Sequence, residues 1–147
     1  MILISHRGNI NGVNLERENN QSYIQEAIDL GYDVEIDVWY EHNQFYLGHD
    51  KPQYQVDLNW LLERKNNLWI HCKNFDALSE LLNANLRVFY HLQEEYTIIS
   101  DKHIWAHNLN EVDEKCIIPL INKSDIEKWT PISVYGVCSD YIGLLSD

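Results

Sequence analysis

Five apolar runs in this chain end, on their carboxyl-terminal side, in polar or titratable residues. They lie at residues 4–7, 45–49, 69–73, 88–91 and 135–140. A strand of an antiparallel sandwich alternates polar and apolar residues along its length, because one face meets the core and the other meets water. Polarity gathered at one end is instead typical of parallel barrels, whose carboxyl edge carries the functional residues. The pattern therefore predicts a parallel, barrel-like sheet with a site on one rim.

The remaining pattern predicts strand–helix alternation first and mostly strands later. The predicted strands are 2–7, 33–40, 44–49, 68–73, 87–92, 96–99, 103–107, 115–121 and 134–141. The predicted helices are 21–30, which Gly31 terminates, and 57–65, 75–84 and 123–129, while the polar stretch 8–20 suits a long loop. A full eightfold barrel takes about 250 residues, so 147 residues can close one only by omitting outer helices. We expect one α/β domain over residues 1–147, with a compact, helix-poor, TIM-barrel-like fold.

The net charge of −12 restricts the possible partners. Nucleic acids and anionic membrane surfaces are bound through basic patches, so neither is expected to bind. The apolar runs are too short to span a bilayer. A phosphate-bearing ligand would need a local cation to reverse the field of the protein. Cys72, Cys116 and Cys138 are far apart and form no CxxC pair, which predicts buried reduced thiols. Together with the absence of a leader-like pattern at the start, they predict a cytoplasmic location.

Two carboxylates, Glu35 and Asp37, stand two residues apart on a predicted strand and therefore share one of its faces. Alternation alone is equally consistent with a face that meets water. Their position between His6-Arg7-Gly8 and Gly48-His49-Asp50 favours a site for a hard divalent cation such as Mg²⁺, Mn²⁺ or Ca²⁺.

These segments, taken in order, resemble the glycerophosphodiester phosphodiesterase family. The resemblance rests on His6-Arg7-Gly8, Glu18-Asn19, the stretch 27–38 and Gly48-His49-Asp50. It is weaker at 70–73, which resembles the family's E-x-K strand, and at 136–141, which resembles its last barrel strand. Residues 75–133 carry no motif of the family.

Eight residues are expected to act in this site, and the resemblance implies the roles of Glu35, Asp37, His6 and His49. Glu35 and Asp37 would hold the metal, and His6 and His49 would act as base and acid, a task for which imidazole is suited near neutral pH. Arg7 and Lys73 would contact phosphoryl oxygens. Glu18 would orient Arg7 or a ligand, and Asp140 would close the rim, although a strand-end cap is the simpler explanation of Asp140.

His71 departs from the family pattern, which has a carboxylate at this place. As a ligand, an imidazole shifts the preference toward Mn²⁺, Zn²⁺ or similar transition ions. Alternatively, His71 is hydrogen-bonded in the cleft and binds no metal. His91, Glu94 and Glu95 end another strand and would line the cleft, while His103 and His107 alternate with Trp105 and are expected on a solvent face.

The function expected from these residues is metal-dependent hydrolysis of a small phosphodiester, glycerophosphodiester-like or related, by two-histidine acid–base catalysis. Two alternatives remain. The first is an inactive barrel that binds a phosphorylated ligand or a protein partner. The second is a phosphodiester lyase similar to sphingomyelinase D. The sequence predicts no oligomeric state.

Overall fold

The computed structural model describes residues 1–146 as ten strands, four helices and a final 3-10 turn at Ile142–Leu145. The strands are β1 (Ile2–His6), β2 (Asp33–Glu41), β3 (Gln44–Leu47), β4 (Tyr54–Val56), β5 (Leu68–Cys72), β6 (Val88–Phe89), β7 (Tyr96–Ile98), β8 (Ile104–Ala106), β9 (Cys116–Pro119) and β10 (Gly136–Ser139). The helices are α1 (Gln21–Asp29), α2 (Leu58–Glu63), α3 (Phe75–Leu82) and α4 (Lys123–Lys128).

Local chemistry explains where several elements begin and end. The side chains of Asn20 and Asn74 accept hydrogen bonds from backbone amides in the first turns of α1 and α3, which satisfies donors that a helix leaves unpaired. Gly31 follows α1 with a φ of 94°, as expected for a helix stop. His42 and Asn43 both have positive φ, the conformation of a tight hairpin turn between β2 and β3.

The strands form one sheet with a parallel centre. From one end, its order is β6-β5-β2-β1-β10-β9-β8-β7, and all neighbours are parallel except β7, which runs antiparallel to β8. Strand β2 has three partners because it is long. Its first half pairs with β1 and its second half with β3 along one edge, while β5 takes the other edge. Strand β4 extends the hairpin.

The sheet curls around an internal aromatic and aliphatic cluster. The rings of Phe89 on β6 and Trp105 on β8 are 4.9 Å apart, although these strands lie near opposite ends of the sheet. The two ends also meet where the Ser100 amide donates to the Val88 carbonyl at 2.9 Å. No strand ladder joins β6 to β7 within residues 1–146, so the sheet is not closed into a barrel. The expectation of a helix-poor α/β fold is confirmed, and a closed barrel is not.

Three hydrophobic clusters pack against the two faces of the sheet. The inner one contains Ile4, Trp69, Phe89, Trp105 and Ile117, all nearly or fully buried. A larger outer cluster packs α1, α2 and α3 against β2 and β5, and a third lies under α4 and the 3-10 turn. The inner cluster fills the space below the carboxyl ends of the strands. The polar side chains at those ends therefore rest on closely packed apolar residues.

The helices and strands predicted from the sequence occur in the structure in the predicted order, and the structure has two further elements. Strand β4 and the 3-10 turn were not predicted, while each predicted strand and helix has a counterpart. The three cysteines are free and buried, as expected. None of the helices in the described chain has the length and apolar character needed to cross a membrane.

Candidate metal and phosphate site

Strand register brings the candidate residues together at one rim. His6 on β1 is opposite Glu35 on β2, and Asp37 on β2 is opposite His71 on β5. Ser139 on β10 is opposite Ser5, so Asp140 follows at the level of His6. These strands are parallel, so their carboxyl ends and the polar residues there lie at the same edge.

Glu35, Asp37 and His71 form the part of this rim that is suited to a metal. One donor atom from each lies within 4.8 Å of the others. Glu35 is 3% and Asp37 0% exposed. Glu35 Oε2 and Asp37 Oδ1 are buried without a hydrogen-bond partner in the described chain. A buried oxygen without a partner is costly, and a cation would satisfy it, so these residues fit a divalent ion with mixed oxygen and nitrogen ligands.

Asp37 is surrounded by cationic and donor groups of the protein. Its carboxylate lies 3.1 Å from Arg7 Nε, 3.2 Å from His71 Nδ1 and 4.0 Å from Lys73 Nζ. Burial favours the neutral form of Asp37, but His71 and Arg7 outweigh it and hold the pKa of Asp37 far below its usual range. Asn19 adds a pair of hydrogen bonds, donating to Asp37 Oδ2 at 2.9 Å and accepting from the Asp37 amide at 3.0 Å. Asp37 is therefore expected to carry a negative charge at neutral pH.

At Glu35 the attraction of His6 and Arg7 does not outweigh the effect of burial. Burial and then the negative charge of Asp37 raise the pKa of Glu35. Its nearest ion-pair partner is His6, whose Nε2 lies 3.4 Å from Glu35 Oε2. A divalent ion bound between the two carboxylates would remove their mutual repulsion.

His6 is held between two carboxylates. Its Nδ1 is 2.8 Å from Asp140 Oδ1, and its Nε2 faces Glu35. Burial lowers the pKa of His6, but the hydrogen bond to Asp140 and the charge of Glu35 more than offset this, so the pKa is raised. Asp140, predicted to close the rim or cap a strand, thus fixes the orientation of the His6 ring.

The loop after β1 turns sharply and carries Arg7 back over the rim. Arg7 and Gly8 have φ values of 59° and 97°. The turn is fixed by the Arg7 amide, which donates to the Glu35 carbonyl at 2.8 Å, and by the Arg7 carbonyl, which accepts from the Asn19 amide at 3.0 Å. Arg7 Nη1 also contacts Glu18 Oε2 at 3.3 Å.

Asn9 connects two of these groups and was not singled out by the sequence. Its fully buried side chain donates to Glu18 Oε1 and to Asp140 Oδ1, both at 2.9 Å. Its Oδ1 accepts from the Asn14 amide and the Tyr23 hydroxyl at 3.1 Å each. One amide therefore positions the carboxylates that contact Arg7 and His6. An asparagine in a polar loop carries no periodic signal, so its neighbours become apparent only in the fold.

His49 lies at the same edge but apart from the buried cluster. Within residues 1–146 its only ion pair is with Asp50, Nδ1 to Oδ1 at 2.8 Å, and its side chain is 42% exposed. The preceding Gly48 is held by Trp39, whose indole N–H donates to the Gly48 carbonyl at 2.6 Å. His49 shares a hollow of about 250 Å³ with Arg7, Glu18 and Asn19. The structure thus gathers eight of the nine predicted residues and leaves His49 at the mouth.

Aromatic and imidazole rings extend from His71 along the rim. The His71 ring stacks on Phe89 and on His91, with ring centres 5.3 Å and 4.4 Å away. The ring centre of His107 lies 5.0 Å from that of His91. Burial and then the neighbouring rings of His71 and His107 lower the pKa of His91 to about 4, so this ring is neutral at pH 7. The predicted solvent position is correct for His107, whereas His103 is half-buried and packs on Trp69 and Tyr135.

No protein-family model matches this chain, and comparison with curated proteins finds no significant match. The function of this chain is therefore inferred from the geometry of the site and from the resemblance of its motifs.

Proposed function

We propose that this chain is a metal-dependent phosphodiesterase acting on a glycerophosphodiester-like or related small phosphodiester. The observation that carries the proposal is the buried pair Glu35 and Asp37, beside Arg7 and Lys73. Glu35 Oε2 and Asp37 Oδ1 each lie near a histidine nitrogen but have no hydrogen bond. Carboxylates that bind a cation and basic side chains that bind an anion are the two halves of a metal-assisted phosphate site.

The site belongs, in this proposal, to a reduced version of the phosphodiesterase barrel. The contact of Phe89 with Trp105 and the hydrogen bond from Ser100 to Val88 support this relation, since they bring the two ends of the sheet together. The short helices and the few outer layers leave a site that is open at the rim.

Glu35, Asp37 and His71 would hold the ion. When bound there, a divalent ion would supply the Lewis acidity that polarises a phosphoryl oxygen. Arg7 offers a planar pair of N–H donors to the phosphoryl group, and its contact with Glu18 orients that pair. The side chain of Lys73 is 17% exposed, and its positive charge would stabilise the negative charge that develops on the phosphoryl group.

His6 and His49 would move the protons. In each, a carboxylate accepts from Nδ1–H, Asp140 for His6 and Asp50 for His49, which leaves Nε2 as the working nitrogen. We assign His6 as the base because it lies deep in the site, beside Glu35. His49, at the more exposed mouth, would protonate the departing alkoxide.

One observation favours a second candidate, a binding module without catalysis. Arg7 and Lys73 already place two positive charges beside Asp37 without any metal, and His71 Nδ1 lies 3.2 Å from its carboxylate. A site balanced in this way would hold a phosphorylated ligand through Arg7 and Lys73 alone. The two candidates differ in whether a divalent ion binds and whether a diester is cleaved.

The metal half of the proposal is tested by calorimetry with Mg²⁺, Ca²⁺, Mn²⁺ and Zn²⁺. We expect Mn²⁺ or Zn²⁺ to bind more tightly than Ca²⁺, because one ligand is an imidazole. Glu35→Gln/Asp37→Asn should abolish binding at this site, and His71→Glu should strengthen binding of Mg²⁺ or Ca²⁺. Asp76→Asn/Glu80→Gln, exposed carboxylates on α3, is the matched control. Unchanged binding in the Glu35→Gln/Asp37→Asn variant would exclude the metal site.

The catalytic half is tested with an activated and an alkyl phosphodiester. His6→Ala and His49→Ala should each lower kcat by roughly 10²-fold or more, while His42→Asn in the exposed turn should not. The variant lacking the general acid should lose less on a p-nitrophenyl ester, whose leaving group needs little protonation. A cyclic phosphate product would identify the lyase alternative. Absence of turnover with every metal, together with retained phosphate binding, would favour the binding module.

A further inference from the structure

We propose that the rim carrying the candidate metal site docks on a zwitterionic phospholipid surface. Three large apolar side chains stand at this rim, each in a different segment that follows the carboxyl end of a parallel strand. Leu15 follows β1, Phe75 follows β5 and Leu92 follows β6, and they are 78%, 76% and 69% exposed. Apolar surface of this kind among polar residues is typical of sites that bind a protein or a membrane.

Leu15 and Phe75 lie beside basic side chains of the site. Leu15 lines the hollow of about 250 Å³ that Arg7 and His49 also line. Phe75 is the first residue of α3, two positions after Lys73. Both apolar side chains therefore belong to segments that border the mouth of the site.

Leu92 borders the site on another side. It comes directly after His91, whose ring stacks on His71 with ring centres 4.4 Å apart. Like Leu15 and Phe75, it belongs to none of the hydrophobic clusters in the described chain. Most of the surface of these three side chains is therefore available to a partner.

The charges beside the apolar side chains indicate the kind of surface that would bind. Glu16, Asp76 and Glu94 each come one or two positions after one of the three, and all are exposed. Since the chain also has a net charge of −12, an anionic lipid surface would repel it. A phosphocholine surface instead presents ammonium groups that attract these carboxylates, while the apolar side chains enter the interface.

A second copy of the chain fits this rim less well. Two copies meeting through their rims would bring the same exposed carboxylates together, and like charges in an interface are unfavourable. A protein partner would also cover the mouth of the site, whereas a lipid surface can supply a phosphodiester to it. That supply of substrate rests on the proposed function, but the docking itself does not.

Flotation of the full chain with phosphatidylcholine vesicles tests the docking without any need for turnover. We expect Leu15→Ser/Phe75→Ser/Leu92→Ser to bind the vesicles at least tenfold more weakly than the wild type, because burial of even one such side chain changes binding by roughly tenfold or more. All three residues are exposed, so the substitutions leave the core intact. Leu30→Ser/Leu82→Ser is the matched control and should bind as the wild type does. Both leucines are exposed at the carboxyl ends of helices, and the chain then enters β2 and β6 at the amino edge.

Addition of phosphatidylglycerol to the vesicles should weaken binding of the wild type. The docking proposal is wrong if the wild type does not bind phosphatidylcholine vesicles, or if the triple variant binds them as tightly. Self-association of the wild type but not of the triple variant, without vesicle binding, would show that a second copy occupies the rim instead. Vesicle binding without cleavage of any diester would support the docking and count against the phosphodiesterase alone.

Discussion

Replacing Asn9 by aspartate tests whether one amide holds the rim together. The substitution keeps the size of the side chain and the oxygen that accepts from Asn14 and Tyr23. It removes the NH₂ group that donates to Glu18 and Asp140 and places a third carboxyl group beside them.

The expected loss follows from these two contacts. A hydrogen bond to a charged group contributes about 1.5–3 kcal/mol, so two of them amount to roughly 3–6 kcal/mol. The free energy of unfolding of small domains is about 5–15 kcal/mol, so the expected loss is a large part of the total stability. The new carboxyl group is buried beside two anions, which raises its pKa in the folded chain above the unfolded value of about 3.9. The folded state then favours the protonated group, and the loss grows as the pH rises above that value.

Urea unfolding followed by tryptophan fluorescence measures this loss. The five tryptophans include Trp69 and Trp105 in the inner cluster, so the signal reports on the core around which the sheet curls. Asn66→Asp makes the same charge change at an exposed position and should alter stability by less than about 0.5 kcal/mol. If Asn9→Asp is as stable as Asn66→Asp at pH 7, then Asn9 does not organise the rim.

Two other predictions concern the mouth of the site and the interior. Gly48 has a φ of 154°, and a Cβ there would overlap the Lys51 carbonyl, so Gly48→Ala should cost at least 1–3 kcal/mol in urea unfolding, on the order expected for backbone strain; an unchanged midpoint would contradict this. Burial raises the pKa of Cys72 to about 12 and also raises the pKa of Cys138 well above its usual range, so neither thiol should react with Ellman's reagent at pH 8 until the chain unfolds. Reaction at the rate of free cysteine in native protein would show that the interior is open.

Periodicity and turn residues in the sequence were sufficient to predict most elements. The helix 21–30 with its Gly31 stop and the strand 33–40 follow from local spacing, and the structure has them as α1 and β2. Strand β4 was missed because its three residues are too few to establish a period and follow closely after Pro52. Local spacing also identified Glu35 and Asp37 as neighbours on one face, since that requires only the geometry of a strand.

What the sequence alone determined is therefore the set of residues that local geometry and motif order bring to the rim, together with an α/β fold with few helices. Tertiary structure decided the rest. Whether the sheet closes depends on contacts between β6 and the segment after β7, and Asn9 gained its partners from the loop and the last strand. The contact of His91 with His107 likewise depends on how far the sheet curls. Each of these joins residues far apart in the chain, and such contacts are set by packing around the inner core, which no local pattern encodes.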